Sequence, residues 1–222
     1  MKIVVATSNA GKLSELRRLL PEHLDLLSSG DLGLQMPEET GADFVENALL
    51  KARSAARSGE VAVADDSGLM VDALGGAPGI FSARFAGEHA TDEQNNSKLI
   101  ELISGLRAPD RTARFVSAVA VVTPEGREFC ATGAVVGRIV DEPRGTNGFG
   151  YDPHFEIDDP DSHQHNGQTM AEISIEQKNC ISHRARAYRN LLRQLDNLDF
   201  FGPLATSNGS TGKSAAHDVR RR

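Results

Sequence analysis

Two long apolar runs constrain the fold of this chain more than any other feature. They occupy residues 112–123 and 128–140, and Pro124, Glu125 and Gly126 lie between them. Runs rich in valine on either side of a short turn sequence predict two long antiparallel strands joined as a hairpin. The sheet of this protein therefore cannot be wholly parallel.

Helical patterns surround the hairpin and alternate with shorter strands. Residues 2–6 form a short apolar run typical of a strand, and Leu13, Leu16 and Leu20 follow at the spacing of an amphipathic helix. Three further helices are predicted from a capping residue and the apolar positions after it. The first begins with Asp43 and Glu46 and has Phe44, Ala48, Ala52, Ala55 and Ala56 on its buried face and Asn47 and Lys51 on the other face. The second begins with Thr91 and Gln94 and buries Leu99, Leu102, Ile103 and Leu106, and the third begins with Ser182 and buries Ala185, Tyr188, Leu192 and Leu195. This order of elements predicts an α/β protein with a mixed sheet.

The composition is that of a soluble globular protein. Of 222 residues, 39% are hydrophobic and 25% are charged, and the formal net charge is −7. No run approaches the roughly 18 apolar residues of a membrane span, and the negative charge argues against general binding to nucleic acid. We expect one domain over residues 1–200 and a disordered tail over 203–222, which has almost nothing to bury.

The compartment is predicted from the N-terminus and the cysteines. The first apolar run is about five residues long, too short for the roughly 7–15 apolar residues of a signal peptide, so we expect a cytoplasmic protein. Cys130 and Cys180 lie far apart in the sequence and form no CxxC motif. Such an isolated pair is typical of reduced, structural cysteines.

The stretch VAVADDSGLMVDALGGAPG, residues 61–79, combines features that rarely occur together. Val61–Ala64 is predicted to be a short buried strand that delivers Asp65 and Asp66 to one place, ahead of a glycine-rich loop. Two adjacent carboxylates repel each other unless water, a proton or a cation neutralises them. The pair is therefore a candidate metal site.

Glu38 and Glu39 would raise the number of carboxylates at such a site to four. Alone, the two glutamates are typical of a solvated acidic turn. Together with Asp65 and Asp66 they would suit Mg²⁺, a hard cation that is held by few protein oxygens plus substrate phosphates. The sequence leaves both interpretations open.

The segment ATSNAGK lies between the first strand and the first helix, where a P-loop would lie. Ala6 replaces the first glycine of that motif, and Leu13 replaces its Ser or Thr, so it is not a P-loop. A strand that turns into a helix N-terminus still presents free N–H groups to an anion, and Lys12 adds positive charge. The alternative is an ordinary capped turn with a solvated lysine.

Two later segments are candidates for contact with a ligand. In GTNGFGYDP, residues 145–153, the glycines would let a base stack on an aromatic ring; alternatively, Phe149 and Tyr151 pack in the core. In SHRARAYR, His183 and Arg184 oppose the helix dipole, a conflict that a bound anion or carbonyl would remove, and Lys178 lies just upstream. The alternative is a structural histidine.

One further segment, DDPDSHQHNGQ, contains many residues that can bind metals. It spans residues 158–168. Its spacing fits no standard metal site, so we predict a solvated loop.

Taken in order, TSNAGK, EETGADFVENALLKA, ADDSGLMVDALGGAPGIFSARFAG, GTNGFGYDP and EISIEQKNCISHR closely resemble the inosine triphosphate pyrophosphatase family, also called XTP/dITP diphosphatases. The resemblance extends from about Lys2 to Leu198 and leaves out the tail and the 158–168 segment. It implies an elongated mixed sheet with flanking helices, in two lobes around a nucleotide cleft. It also implies a homodimer that uses Mg²⁺ to hydrolyse non-standard purine nucleoside triphosphates (ITP, dITP, XTP) to the monophosphate and pyrophosphate.

The resemblance implies roles for individual residues as well. Metal ligands would be Glu39, Asp65 and Asp66, with Glu38 as an alternative, and Asp66 would be the general base. Substrate contacts would come from Thr7, Ser8, Asn9, Ala10, Gly11 and Lys12 at the triphosphate, from Ser67 in the turn after the strand, from Phe149, Gly150, Tyr151 and Asp152 over the base, and from Lys178, His183 and Arg184 at the base and phosphates. We expect Lys12, Lys51 and Lys178 to stabilise the charge on the leaving pyrophosphate.

Two other functional classes remain open at this point. One is a nucleotide sensor that does not hydrolyse its ligand, and the other is a pyrophosphatase for a pyrimidine or methylated nucleotide. A sensor would not need the four carboxylates. Pyrophosphate release from a panel of nucleotides would separate these classes.

Overall fold

A six-stranded mixed sheet organises the protein in the computed structural model, which describes residues 1–7, 13, 16–18, 23–196 and 200. The strand order is β2-β1-β3-β4-β5-β6, and the sheet is open. The strands are β1 (Lys2–Val5), β2 (Asp25–Ser28), β3 (Val61–Val71), β4 (Thr112–Val122), β5 (Glu128–Ile139) and β6 (Phe155–Ile157). The predicted α/β class with a mixed sheet is confirmed, and the two-lobed outline stays a prediction.

Strand β3 joins the two halves of the sheet. It pairs with β1 in parallel through Val61–Val63 and with β4 antiparallel through Ala62–Val71. Among the described residues, no strand pairs with β3 on the β1 side between Ala64 and Leu69. The sheet therefore opens just beyond the carboxyl end of β1, a place where α/β sheets commonly bind ligands.

Helices cover both faces of the sheet. Those whose bounds the structure describes are α1 (Phe44–Ala56), α2 (Asp92–Ile103), α3 (Ile175–Ile181) and α4 (His183–Asp196). Helix α1 packs on β3 and β4, in a cluster that contains Ala62 and Ala64. Helix α4 packs on β5 and β4, in a cluster that contains Val63 and Val119. Because β3 residues alternate between these clusters, the two helices lie on opposite faces of the sheet.

The central strand differs from the prediction. Instead of ending at Ala64, β3 runs on through Asp65, Asp66 and Ser67 to Val71. Its ladder with β4 continues through the aspartates, with Asp66 opposite Ala118. The long pairing with β4 satisfies the backbone here, and it outweighs the tendency of Asp, Ser and Gly to form a turn.

The structure confirms where the predicted helices begin, but some residues that were predicted to be buried on their inner faces are not. Asp43 caps α1, and Thr91 with Gln94 forms a capping box on α2. Leu102 was expected in the core but is 51% exposed, because the buried stripe of α2 follows Asn95, Leu99 and Ile103. Helix α2 ends at Ile103, so the predicted Leu106 lies beyond it, although that side chain packs against the core. In α4, Leu192 is only partly buried, while its neighbour Leu191 is buried.

Some predictions concern residues that the structure does not describe. Leu20 and the predicted tail, 203–222, lie outside the described residues.

Both cysteines carry free thiols. None of the helices within the described residues has the length and apolar character that crossing a membrane requires.

The 158–168 segment is docked, where a solvated loop was predicted. It contains the 3₁₀ helix Pro160–His165. Asp159 is buried, and it accepts hydrogen bonds from Arg186 of α4 at 2.7 and 3.0 Å and from Val136 N at 3.0 Å. The sequence pattern could not show this, because Arg186 lies 27 residues away.

Candidate active site

Asp65 and Asp66 point to opposite faces of the sheet. Side chains alternate along a strand, so Asp66 faces α1 and Asp65 faces α4. Asp66 accepts hydrogen bonds from Asn47 Nδ2 and Lys51 Nζ, both at 3.2 Å. The expectation that two adjacent carboxylates share one place and repel each other is therefore corrected.

Asp65 has its own partners on the α4 side. Its Oδ2 accepts hydrogen bonds from Arg184 Nε at 3.2 Å and from Ser67 Oγ at 3.0 Å. Ser67 lies in the strand, not in a turn, and its hydroxyl also contacts Ser117 Oγ across the β3–β4 pair at 2.9 Å. Each aspartate is thus paired with a cation on a different helix.

Helix α1 supplies the partners of Asp66 from one face. Asn47 and Lys51 are four residues apart, so they project from the same side of the helix. Both are buried, contrary to their predicted place on the polar face. Asn47 Oδ1 accepts a hydrogen bond from Gly41 N at 2.8 Å, which orients its amide group toward Asp66. The helix therefore ties the loop before it to the catalytic candidate.

Lys51 bridges two carboxylates. Its Nζ lies 2.7 Å from Glu39 Oε1 and 3.2 Å from Asp66 Oδ1. Burial alone would lower the pKa of Lys51, but the charges of Asp66 and Glu39 outweigh it and raise that pKa above its ordinary value. Arg84 approaches the other oxygen of Glu39, with Nη1 at 3.5 Å.

A large cavity of about 780 Å³ opens beside these charges. Thr7, two residues after β1, lines it, and its carbonyl accepts a hydrogen bond from Ser29 Oγ at 3.2 Å. Glu38 is exposed and lines the same cavity. The other lining residues that carry charge are Glu39, Lys51, Asp65, Arg84 and Glu88. The remaining residues of the predicted triphosphate turn, Ser8, Asn9, Ala10, Gly11 and Lys12, lie outside the described part of the chain.

A smaller cavity of about 240 Å³ adjoins the first and is more aromatic. The structure brings together in its lining the predicted residues Ser67, Phe149, Gly150, Tyr151, Asp152, Lys178, His183 and Arg184. Glu39 and Ala83 line both cavities. One continuous cleft therefore joins a charged compartment to an aromatic one.

The two aromatic residues of the 145–153 loop take different roles. Phe149 is 42% exposed, and its ring faces Lys178 Nζ at 5.0 Å and Arg184 Cζ at 5.9 Å. Tyr151 is buried, and its hydroxyl donates to Ser82 O at 2.8 Å. Burial, reinforced by Asp92, raises the pKa of Tyr151 above its ordinary value, so the phenol stays neutral. The core alternative is therefore confirmed for Tyr151, while stacking of a base on Phe149 stays a prediction.

A buried ion pair fixes the same loop. Lys178 Nζ lies 2.6 Å from Asp152 Oδ2, which also accepts a hydrogen bond from Phe149 N at 2.9 Å. Gly148 has a φ of +82°, and a Cβ there would collide with Asp152 Oδ2. This position therefore requires glycine.

His183 begins α4, as predicted, and its ring stacks on Phe115 with centroids 4.9 Å apart. The preceding helix α3, which carries Lys178, was not predicted. The capping box of Ser174 and Gln177 was the signal that could have revealed it.

The cleft includes residues that the sequence interpretation missed. Arg84, Ser82, Asp92 and Phe115 line one cavity or the other. Arg84 and Ser82 lie on the 3₁₀ helix Gly79–Arg84, beside the open edge of β3. No local pattern distinguished these residues, because their role depends on where that short helix packs.

A metal ion in the cleft would need several oxygen ligands. Within the described residues, no group of three or more His, Cys, Asp and Glu side chains is arranged to hold a metal ion. Glu39 and Asp66 nevertheless direct carboxylate oxygens at one point, now occupied by the Lys51 ammonium. Two carboxylates suit Mg²⁺, which takes its other oxygens from water and substrate phosphates.

Comparisons with known proteins identify the family of this chain. The profile of the Ham1 family matches residues 3–194. A dITP/XTP pyrophosphatase of Bacillus licheniformis is 46% identical over 198 residues, covering 88% of this chain and 98% of that protein. A dITP/XTP pyrophosphatase of Thermus thermophilus is 47% identical over 194 residues, covering 86% and 90%.

Solved structures show the same likeness in three dimensions. The Ham1 protein of Staphylococcus aureus has a TM-score of 0.78 and 39% identity, covering 89% of this chain and all (100%) of that one. A nucleoside-triphosphatase / dITP/XTP pyrophosphatase of Mycobacterium abscessus has a TM-score of 0.69 and 45% identity, covering 86% and 99%. By sequence over most of its length and by structure, the chain belongs to the Ham1 family.

Proposed function

We propose that this protein is a nucleoside triphosphate pyrophosphatase that hydrolyses ITP, dITP and XTP to the nucleoside monophosphate and pyrophosphate. The observation that carries the proposal is the continuous cleft, in which an aromatic compartment meets a charged one at Glu39. The names of the relatives in Bacillus licheniformis and Thermus thermophilus support the same activity.

The cleft suits a nucleotide in one orientation. The base enters the small cavity and stacks on Phe149, a contact worth about 1–3 kcal/mol. The phosphates then lie in the large cavity, near Lys51 and Arg84. This orientation brings the α-phosphorus to the junction of the cavities at Glu39, on the side where Asp66 lines the smaller cavity.

In the proposed reaction, water attacks the α-phosphorus. Asp66 accepts a proton from the water, a new P–O bond forms, and the bond from the α-phosphorus to the bridging oxygen breaks. The negative charge that develops on the leaving pyrophosphate is stabilised by Lys51 and Arg84. Lys178 forms a buried ion pair with Asp152, so its role in the reaction is to hold the 145–153 loop in place around the base.

We propose Mg²⁺ as the cofactor, held by Glu39 and Asp66, with Asp65 and Glu38 as further candidate ligands. When bound, the ion would neutralise charge on the triphosphate. For these oxygens to hold it, Lys51 Nζ, now between Glu39 and Asp66, would turn toward the phosphates.

The chemistry of the base explains how ITP would be distinguished from ATP. Hypoxanthine and xanthine present a 6-oxo acceptor and an N1–H donor, whereas adenine presents the reverse. Donors on Arg184 and His183 line the small cavity and would face the 6-oxo group. Because a donor left without an acceptor in a buried site is costly, discrimination can reach about 10⁴-fold.

The decisive experiment measures pyrophosphate release with Mg²⁺ from ITP, dITP, XTP, ATP, GTP and the pyrimidine triphosphates. We expect rapid release from the first three and very slow release from ATP. Preference for a pyrimidine triphosphate would favour a different pyrophosphatase, and tight binding of ITP without release would favour a sensor.

A homodimer and a cytoplasmic location are proposed from the family resemblance, and the net charge of −7 supports the absence of nucleic-acid binding. Light scattering of the purified protein would test the dimer, and fractionation of cells would test the location. A monomer in solution would contradict the first.

A further inference from the structure

The loop that carries Phe149 is fastened to a helix that contributes no predicted site residue. Asp92 and Asn96, both on α2, are four residues apart and so project from one face. Asp92 Oδ2 accepts a hydrogen bond from Gly150 N at 2.7 Å. Asn96 Nδ2 donates to Gly150 O at 3.0 Å. One helix thus holds both main-chain polar groups of Gly150.

The local conformation of Gly150 makes this double contact possible. Its φ is +62°, in the left-handed region that favours glycine. The first turn of α2 is itself fixed by the capping box of Thr91 and Gln94, which lies directly around Asp92. The fastening therefore rests on an ordered part of the helix.

Packing alone does not fix the Phe149 ring, since the residue is 42% exposed. Its main chain is anchored on both sides instead. On one side, Phe149 N donates to Asp152, which pairs with the buried Lys178. On the other side, the next residue, Gly150, is held by α2. Removing the second anchor would leave the ring free to move.

We infer that Asp92 and Asn96 are positioning residues that set the affinity of the cleft for the base by holding Phe149 in place. The inference rests on the proposed function, because it assumes that a base stacks on Phe149. Asp92 lines the small cavity, and both residues line another surface cavity on the 146–150 segment. Neither lines the large cavity, so the phosphates should not be affected. A ring fixed in advance costs less to order when the ligand binds.

The test separates the base from the phosphates. Asp92→Ala, Asn96→Ala and the double variant are compared with Glu93→Ala and Ser97→Ala. These matched neighbours on α2 form no hydrogen bond with Gly150 among the described residues. We expect the double variant to raise KM for ITP about tenfold and to leave kcat within about twofold of wild type. Inhibition by IMP should weaken by a similar factor, while inhibition by pyrophosphate should not change.

Two results would overturn the inference. The first is an equal weakening of inhibition by IMP and by pyrophosphate, and the second is a KM for the double variant equal to that of the control variants. Asp92→Asn provides a conservative comparison, because its amide oxygen can still accept from Gly150 N. Its KM should lie between those of wild type and Asp92→Ala.

Hydrogen exchange distinguishes failure of the inference from failure of the proposed function. Without nucleotide, the Gly150 amide should exchange faster in Asp92→Ala than in Glu93→Ala. If wild type releases no pyrophosphate from ITP, dITP or XTP, the proposed function fails, yet this exchange measurement still tests the fastening. Equal exchange in the two variants would contradict the fastening even in an active enzyme.

Discussion

Both carboxylate oxygens of Asp66 accept hydrogen bonds, one from Asn47 and one from Lys51. Asn47 is in turn oriented by Gly41 N, so the carboxylate of Asp66 has a fixed direction in the lining of the smaller cavity. A group held in this way needs little reorganisation to act on a water molecule. At the scale of single residues, this makes Asp66 the best candidate for the proton acceptor.

We predict that Asp66→Asn folds normally but loses activity. The amide does not accept the proton of the attacking water, so kcat should fall by about 10²–10⁴-fold. Asp72→Asn is the matched control, because Asp72 directly follows β3 and is an exposed partner of Arg114. The measurements are pyrophosphate release from ITP and thermal unfolding by circular dichroism. An Asp66→Asn enzyme with more than half of wild-type activity would exclude Asp66 as the base.

Single residues also show what the sequence could and could not predict about the site. Phe149 was predicted from glycine spacing, His183 and Arg184 from unfavourable helix charges, and all of them, with Lys178, from the family resemblance. The four residues line the small cavity, and their roles stay predictions. Arg84 was missed because it pairs with Glu39, 45 positions away by residue number. Tertiary packing decides which residues that far apart come into contact, and a local sequence pattern carries no information about it.

At the scale of elements, the close packing of α4 on β5 places His183 and Arg184. Gly133 of β5 lies directly against the helix backbone, and a Cβ there would collide with His183 O and Ala187 N. Only glycine allows the helix this close to the strand. The position of the two cleft residues therefore depends on a residue outside the cleft.

We predict that Gly133→Ala moves the start of α4 and damages both stability and binding. Overpacking of this kind costs about 1–3 kcal/mol in the free energy of unfolding, and KM for ITP should rise as Arg184 moves. Gly105→Ala serves as the control, since no atom within 4 Å would meet a Cβ there. Urea unfolding and ITP kinetics are the measurements. Equal effects of the two substitutions on the free energy of unfolding and on KM would show that the close contact between Gly133 and α4 determines neither quantity.

Another element-scale feature is the docking of the 158–168 segment on α4. Burial alone would raise the pKa of Asp159, but hydrogen bonds from Arg186 and Val136 N outweigh it and hold that pKa below its ordinary value. A lowered folded-state pKa stabilises the protein above the unfolded pKa of about 3.9. This contribution is lost as the pH falls through the folded-state pKa.

We therefore predict that Asp159→Asn lowers the free energy of unfolding by about 1.5–3 kcal/mol at pH 7. The difference from wild type should shrink as the pH falls below about 4, because the wild-type carboxylate becomes protonated. Asp161→Asn, a change in an exposed carboxylate of the same segment, should have a small effect. Urea unfolding between pH 7 and pH 3 measures this, and a difference independent of pH would contradict it.

Elements were predicted well where their signals are local. The caps of α1 and α2 and the β4–β5 hairpin were found because their determining residues lie within a few positions of each other. Strand β3 was predicted to end too early, because the strand that extends it, β4, begins 41 residues after Val71. Its length is a property of that pairing and not of its own residues.

At the scale of the whole molecule, β3 and its neighbours join three hydrophobic clusters. Its residues contribute to all three, through Leu69, Val63 and Ala64. A strand shared in this way couples the clusters, since loss of β3 exposes each of them to water. We therefore expect the described part of the chain to unfold as one unit.

The two tyrosines allow a test of this expectation. The chain has no tryptophan, Tyr151 lies in the cluster with Leu69, and Tyr188 lies in the cluster with Val63. We predict that in Tyr151→Phe and in Tyr188→Phe the fluorescence of the remaining tyrosine and the far-ultraviolet circular dichroism change at the same urea concentration. Different midpoints within one variant would show two units and would contradict the single domain over residues 1–200.

Asp65 and Asp66 point to opposite faces of the sheet, and this restricts the insertions and deletions that β3 can accept. A one-residue insertion between Val61 and Asp65 would rotate every following side chain of the strand to the opposite face. Arg184 would then lose its contact with Asp65, Lys51 would lose its contact with Asp66, and Leu69 would leave its hydrophobic cluster. A substitution in this strand changes one side chain, whereas a frame-preserving insertion or deletion of one codon changes the face of every side chain that follows it.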